Sequence, residues 1–246
     1  MRFSLPLALL SFCGGLLVGL ATALIRLYAI RPLKLCADFY VWVFRGTPLL
    51  VQLFLIFYGL PSAGITLDAF PAALIGFTLN VGAYSSEIVR GAILSVPQGQ
   101  WEAASAIGMN SGQAMRRVIL PQSVFVSLPP LSNAFISLIK DTSLAAVITV
   151  PEMFLAAQRI VAVNYEPLII YSETALIYLA FSTLLGKLQL RGALLPSLRV
   201  KHRQQKSPHR RGKRQKNPQA APAGSNAMRN SMSKLFNNHR LSHYIF

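Results

Sequence analysis

Through the first 190 residues polar positions are sparse and clustered, and between the clusters run five apolar stretches at 5–25, 38–60, 71–89, 123–139 and 168–185. Each is close to the roughly 20 residues that an α-helix needs to cross the hydrocarbon core. The pattern predicts an all-α integral membrane protein with about five transmembrane helices. In the second stretch, RGTP puts Pro48 where an amide hydrogen is missing and the preceding Thr47 is pushed out of helical geometry, so an interfacial helix is expected to kink into a membrane one. The fourth holds Pro129 and Pro130 and is expected to break as well. Broken helices survive in lipid only where protein or a water-lined cavity satisfies the freed carbonyls, which is a transporter-like trait. Gly14, Gly15 and Gly19 give the first stretch a small face, with Gly15 and Gly19 in G-x-x-x-G spacing; this reads equally as close helix packing or as the ordinary glycine content of a span.

Orientation follows from the positive residues. Arg26, Arg31 and Lys34 follow the first span, Arg90, Arg116 and Arg117 the third, and Lys and Arg crowd the region after the fifth. Those three sides are expected to face the cytoplasm, with the amino terminus outside. The first 25 residues imitate a secretory signal, but their apolar core exceeds the usual roughly 7–15 residues and basic residues follow at once, which suits a retained helix.

Composition sharpens this picture. Mean hydropathy is +0.45. All eight carboxylates precede residue 174, whereas 14 of the 24 Lys and Arg lie from Lys187 onward, so the strong basicity belongs to the tail. The organisation expected is a transmembrane domain over 1–190 and a basic, disordered tail over 191–246. About 57 residues follow Gln189 without a carboxylate, and a frameshifted ending is expected to account for them. The start, which opens directly on the first span, is expected to be misplaced or truncated. Cys13 and Cys36 have no ligand-like spacing and all four histidines lie in the tail, so neither a disulfide, a metal site nor imidazole chemistry is expected in the body. No G-x-x-x-x-G-K-[ST] loop and no hydrolase elbow occur, which argues against an enzyme and against any cofactor held by this chain.

The segment WEAASAIGMNSGQAMRRVILP, 101–121, stands apart as a soluble-looking insertion on the expected cytoplasmic side, within a loop spanning about 95–121. Alanines make 101–107 a slim helix, Gly108 supplies the positive φ that ends it, and Ser111 can cap a second helix. Connections between helices are usually much shorter than about 30 residues, so length favours docking to a partner. Inside the bilayer, Asn80, Tyr84 and Glu87 share one helical stripe and are candidates to line a pathway; Glu87 is equally placed to pair with Arg90. A second polar group comprises Asn133, Ser137, Lys140, Asp141, Thr142 and Ser143. Lys140 and Asp141 could contact a zwitterion or lock a helix end.

The pattern Glu102-Ala103-Ala104, Gly108, Ile119-Leu120-Pro121 resembles the EAA loop of permease subunits of bacterial ABC importers. RGTPLLVQLFLIFYGLP, NVGAYSSEIVRGAILSVPQGQWEAA and LPPLSNAFISLIKDTSLAAVI look like the polar amino-acid branch of that family, most like L-cystine permeases, over about residues 4–189. The resemblance implies the type I importer fold and residence in the bacterial inner membrane. It assigns ATPase coupling to Glu102, Ala103, Ala104 and Gly108. It implies two cytoplasmic ABC ATPases, a periplasmic amino-acid-binding protein, and a second permease, either another copy or a sister subunit. Cystine is the first substrate it suggests, ahead of glutamine, glutamate and basic amino acids. An ion-gradient carrier is the alternative. A nucleic-acid partner is not expected, since the basic tail lacks an aromatic platform.

Overall fold

In the computed structural model the backbone is described for residues 3–205 and side chains through 189. Among the described residues all regular structure is helical. Helices Ser4–Tyr28 (α1), Ala69–Leu94 (α4) and Pro167–Gln189, the first part of α9 (Pro167–Gln205), are long and apolar enough to cross a membrane, as is the run Ser111–Ile148. A fifth span is the bent pair formed by Arg31–Gly46 (α2) with Leu49–Ala63, which meet at 107°. This agrees with the five stretches expected. The bend falls at Thr47–Pro48, where the sequence placed it. The basic tail was expected to be disordered from 191; α9 continues helically to Gln205, and 206–246 lie outside the described residues.

The second break is not where it was expected. Helix α7, Leu120–Asp141, runs without interruption through Pro129 and Pro130, and the helical ladder gives way only after Asp141, to a 3-10 run over Thr142–Ile148. Two prolines delete two amide donors from a 22-residue helix, and the bonds on either side carry it across. Two other prolines leave a different mark. Leu60 N–H reaches the Leu55 carbonyl and Leu120 N–H the Met115 carbonyl, each a widened π turn ending on the residue before a proline, Pro61 and Pro121. Widening the turn there relieves the contact between the ring and the carbonyl four residues back.

Helices α1 and α4 form the spine and run parallel. Thr78 lies against Gly14, Val81 against Gly15 and Ser85 against Gly19, so the register advances in one direction along both. A β-carbon at Gly19 would stand 2.7 Å from Ser85 Cβ and 3.0 and 3.1 Å from backbone atoms of Gly82 and Ser86. The small face is therefore the closest-packed seam in the spine, since in lipid helices associate by close backbone approach rather than by hiding apolar surface. Parallel spans need a return crossing between them, and the bent α2–α3 pair (α3, Leu49–Phe54) supplies it. The main core gathers Leu7, Leu53, Phe77, Leu138, Ile148 and Val150 around this spine. A smaller core, Ile93, Val96, Met115 and Ile119 with Leu24, Leu27 and Trp101, seats the connection between α4 and α7 on the ends of α1 and α4. By contrast α9 is largely exposed along its span, with Leu168, Leu176 and Leu179 each more than half uncovered.

Candidate functional site

The connection 95–119 folds as a hairpin. Helix α5, Gln98–Ala106, starts at Pro97, and its end is closed by two bonds, Met109 N–H to the Ala104 carbonyl at 3.1 Å and Gly108 N–H to the Ser105 carbonyl at 3.0 Å. This is the paired closure in which the residue after the cap turns left-handed, and Gly108 has φ +80°. The next cap is Asn110, one position before the expected Ser111. Its side chain accepts from Gln113 N–H at 2.9 Å while the Gln113 side chain accepts from Asn110 N–H at 3.2 Å, giving α6, Ser111–Ala114, a reciprocal box. Asn-x-x-Gln was readable in the sequence and marks the cap better than serine alone.

Of the four coupling candidates, Glu102, Ala103 and Gly108 are exposed on the outer side of the hairpin, with Ile107 beside them 72% exposed. Ala104 points inward and is 3% exposed. The hairpin thus offers a narrow outer face with little side-chain bulk and a single carboxylate, while its inner face is tied to the ends of α1 and α4.

Within the membrane-spanning part, the stripe Asn80, Tyr84 and Glu87 meets the bent pair. Glu87 accepts from Arg26 Nη1 at 2.6 Å and from Arg90 at 2.9 Å, with Arg45 at 3.6 Å; Arg26 also donates to Asp38 at 2.5 Å. The carboxylate that sequence left between substrate contact and pairing joins α1, α2 and α4, with Arg90 as one of three arginines around it. The guanidinium of Arg45 sits 5.6 Å above the Tyr84 ring. Asn80 lies about 16 Å along α4 from Ala69 at 1.5 Å per residue, and its amide donates to Gln52 Oε1 at 3.0 Å. Gln52 in turn donates to the Phe44 carbonyl at 2.9 Å and to Thr47 Oγ1 at 2.9 Å and its carbonyl at 3.1 Å. Sequence reasoning missed Gln52. The signal was a lone amide in the apolar run LLVQLFLIF, one turn beyond Pro48.

The polar end of α7 is organised differently. Ser137 and Lys140 are exposed and Asp141 is half-buried; among the described residues Lys140 and Asp141 form no ion pair. Thr142 donates to the Ile139 carbonyl at 2.7 Å and Ser143 to that of Lys140 at 2.7 Å, securing the change from α to 3-10 geometry. Thr149, a β-branched residue at φ 63°, ends the 3-10 run in a conformation that costs about 1–3 kcal/mol. No hydrogen bond or ion pair among the described residues joins this group to the Asn80 stripe. Next to it, buried Glu152 caps α8, Met153–Asn164, by accepting from Leu155 N–H at 2.6 Å, and accepts from the Tyr178 hydroxyl at 3.1 Å. Burial pushes its carboxyl above the usual range, against the opposing pull of the Phe154 and Leu155 amides and Tyr178. Among the described residues no three His, Cys, Asp or Glu side chains gather as a metal site.

Residues 15–191 match the family described as binding-protein-dependent transport system inner membrane component. The L-cystine transport system permease protein TcyB of Bacillus subtilis (strain 168) is 55% identical over 188 residues, covering 76% of this chain and 80% of that protein. The glutamine transport system permease protein GlnP of Escherichia coli (strain K12) is 39% identical over 187 residues, covering 75% and 85%. Among solved structures, an amino acid ABC transporter determined with histidines superposes with a TM-score of 0.76 at 38% identity over 78% of this chain and 90% of that one. The inward-facing MetNI methionine ABC transporter, at 20% identity and a TM-score of 0.66 over 79% and 93%, shares the fold.

Proposed function

The chain belongs to the family of inner membrane components of binding-protein-dependent transport systems, and from that premise we propose that it is the permease subunit of an ATP-driven importer of a polar amino acid, with cystine as first substrate. One observation carries the reading: a slim hairpin, closed at Gly108 and capped at Asn110, is seated through Ile93, Val96, Met115 and Ile119 on the ends of two parallel spans. A chain without a phosphate-binding loop has to draw work from elsewhere. The hairpin is shaped to enter a groove of a nucleotide-hydrolysing partner and to pass that partner's movement to α1 and α4 as a rigid-body switch.

In this reading two ATPases bind the cytoplasmic side and a periplasmic binding protein delivers the substrate. A second permease, the same chain or a sister, completes the pathway. The amino terminus lies outside and α9 leads into the cytoplasm. Arg31 and Lys34 beyond α1, and Arg116 and Arg117 on the hairpin, support this, because parallel α1 and α4 deliver both groups to the same side. Glu102, Ala103 and Gly108 face the ATPase, and Ala104 acts from beneath by fixing the hairpin to the spans. An ion-gradient carrier would leave the hairpin without a partner.

Uptake of a labelled amino-acid panel, in cells with and without this chain, tests the transport reading, and cystine uptake is expected to depend on it. A photocrosslinker placed at Ala103 is expected to capture a nucleotide-hydrolysing protein, and one at Ala104 is expected to capture much less. External labelling of the outer hairpin face, or capture of no ATPase from Ala103, would overturn the reading.

A further inference from the structure

Pro48 carries no amide hydrogen, so the Phe44 carbonyl four residues earlier loses its helical partner, and the bend leaves the Thr47 carbonyl outside the α3 ladder. Gln52 answers both. Its Nε2 lies 2.9 Å from the Phe44 oxygen and 3.1 Å from the Thr47 oxygen, with Thr47 Oγ1 at 2.9 Å. Main-chain carbonyls only accept, so this end of the Gln52 amide has to be the NH2 group, and the opposite end has to be the oxygen. Thr47 Oγ1 already donates to the Val43 carbonyl, at 2.8 Å, and so can only accept from Gln52, whose two amide hydrogens are shared among the three acceptors. Gln52 is 5% exposed, so no water competes freely for these positions.

The orientation then passes to the next residue. Gln52 Oε1 can only accept, so Asn80 has to turn its own NH2 toward it, at 3.0 Å. The Asn80 oxygen is then the end that faces away from Gln52. Asn80 is half-buried on the stripe it shares with exposed Tyr84, and among the described residues no donor reaches its oxygen. A proline at the start of α3 thus fixes, through two amides, which end of an intramembrane asparagine is presented.

We infer that the Asn80 side-chain oxygen is an acceptor for the α-ammonium group of the transported amino acid, and that Gln52 is the positioning residue that fixes this polarity. This deepens the proposed transport function and rests on it. An asparagine free to rotate would present its donor and its acceptor about equally and would not tell an ammonium from a carboxylate. One pinned by Gln52 presents an acceptor with two lone pairs and no donor.

The test is equilibrium binding of the labelled amino acid to the purified complex of this chain with its ATPase, without the binding protein, whose own selectivity would mask the site. Wild type is expected to prefer the free amino acid over its N-acetyl form. Asn80→Leu is expected to lose roughly 10- to 100-fold in affinity for the free form, as for a hydrogen bond to a charged group, and to bind the two forms alike. Gln52→Leu, which removes no group from the site, is expected to show a several-fold smaller preference than wild type. The ratio of the two affinities does not depend on how much of each variant folds. Discrimination as steep in Asn80→Leu as in wild type overturns the assignment, and an unchanged ratio in Gln52→Leu overturns the positioning role. If the wild-type complex binds no amino acid while uptake in cells still requires the chain, the Asn80 assignment falls and the transport function stands. If uptake does not require the chain, the transport function itself falls.

Discussion

Gly19 and Gly108 are the same residue used against opposite constraints, one at the seam between α1 and α4 and one at the tip of the hairpin. At Gly19 any side chain would run into Ser85 and into the backbone of Gly82 and Ser86. At Gly108 nothing lies within 4 Å of where a side chain would begin, but φ is +80°, which L-residues with a β-carbon resist. The seam is thus specified by space and the hairpin by handedness. The difference reflects the two solvents. Helices in lipid gain little by hiding apolar surface and are held by close approach, whereas a hairpin in water needs its turn and caps to fix its shape. The four-residue cluster Ile93, Val96, Met115 and Ile119 joins the two regimes, packing the hairpin against the C-terminal ends of both α1 and α4.

The sharpest way to break this contrast is Gly19→Leu. Overpacking against backbone leaves no flexible neighbour to yield and is expected to cost about 3 kcal/mol, seen as loss of monodisperse protein in detergent; an unaffected yield would mean that the seam is looser than its distances imply. Next, Glu87→Leu leaves Arg90 without its carboxylate and Arg26 with Asp38 alone in a partly buried site, and is expected to cost about 2 kcal/mol, read as a lower thermal midpoint. Gly108→Val should cost about 1–2 kcal/mol of local strain, confined to the hairpin: uptake and ATPase attachment fall while the thermal midpoint of the spans barely moves. Gly108→Asn, which tolerates the left-handed region, should retain most uptake. A Val variant with full uptake would remove handedness from the account.

The smallest expected effect concerns Glu152. Folding raises its pKa, so the stabilisation belongs to the protonated form, complete below the unfolded carboxylate value and lost as pH rises through the folded one. Glu152→Gln keeps an acceptor for Leu155 N–H without the buried charge. Its thermal midpoint is expected to equal or exceed that of wild type near pH 8, and wild type should gain on it as pH is lowered toward about 5. A pH-independent difference would show that burial does not set this group's behaviour.

Much of the architecture was readable because lipid imposes few solutions: about 20 apolar residues mean a crossing, and each of the five stretches became a helix or bent helix pair long and apolar enough for one. The bend at Thr47–Pro48 was readable because it follows from one missing hydrogen at the start of a helix. The same argument failed at Pro129 and Pro130, which sit mid-helix with bonds on both sides to carry the ladder across. In the site, the left-handed turn at Gly108 was legible because it is local. The face that Ala104 occupies was not, since alanine gives no sign of it, and the structure turns it inward. Glu87 pairs with Arg90 through helical spacing, yet Arg26 and Asp38 joined it across separate segments and could not be read from any period.

What the sequence determined by itself is what one segment decides alone: the number of crossings, the proline elbow, the left-handed glycine and the separation of a basic tail from an apolar body. Hydrophobic length, a missing amide hydrogen and a dihedral preference are each properties of a few consecutive residues. The tertiary structure decided the pairing of distant polar groups, Arg26 with Asp38 and Glu87, Gln52 with Asn80, and Glu152 with Tyr178. Where water is scarce a polar group takes the partner that packing brings within reach, and that partner is chosen by how helices cross rather than by its place along the chain.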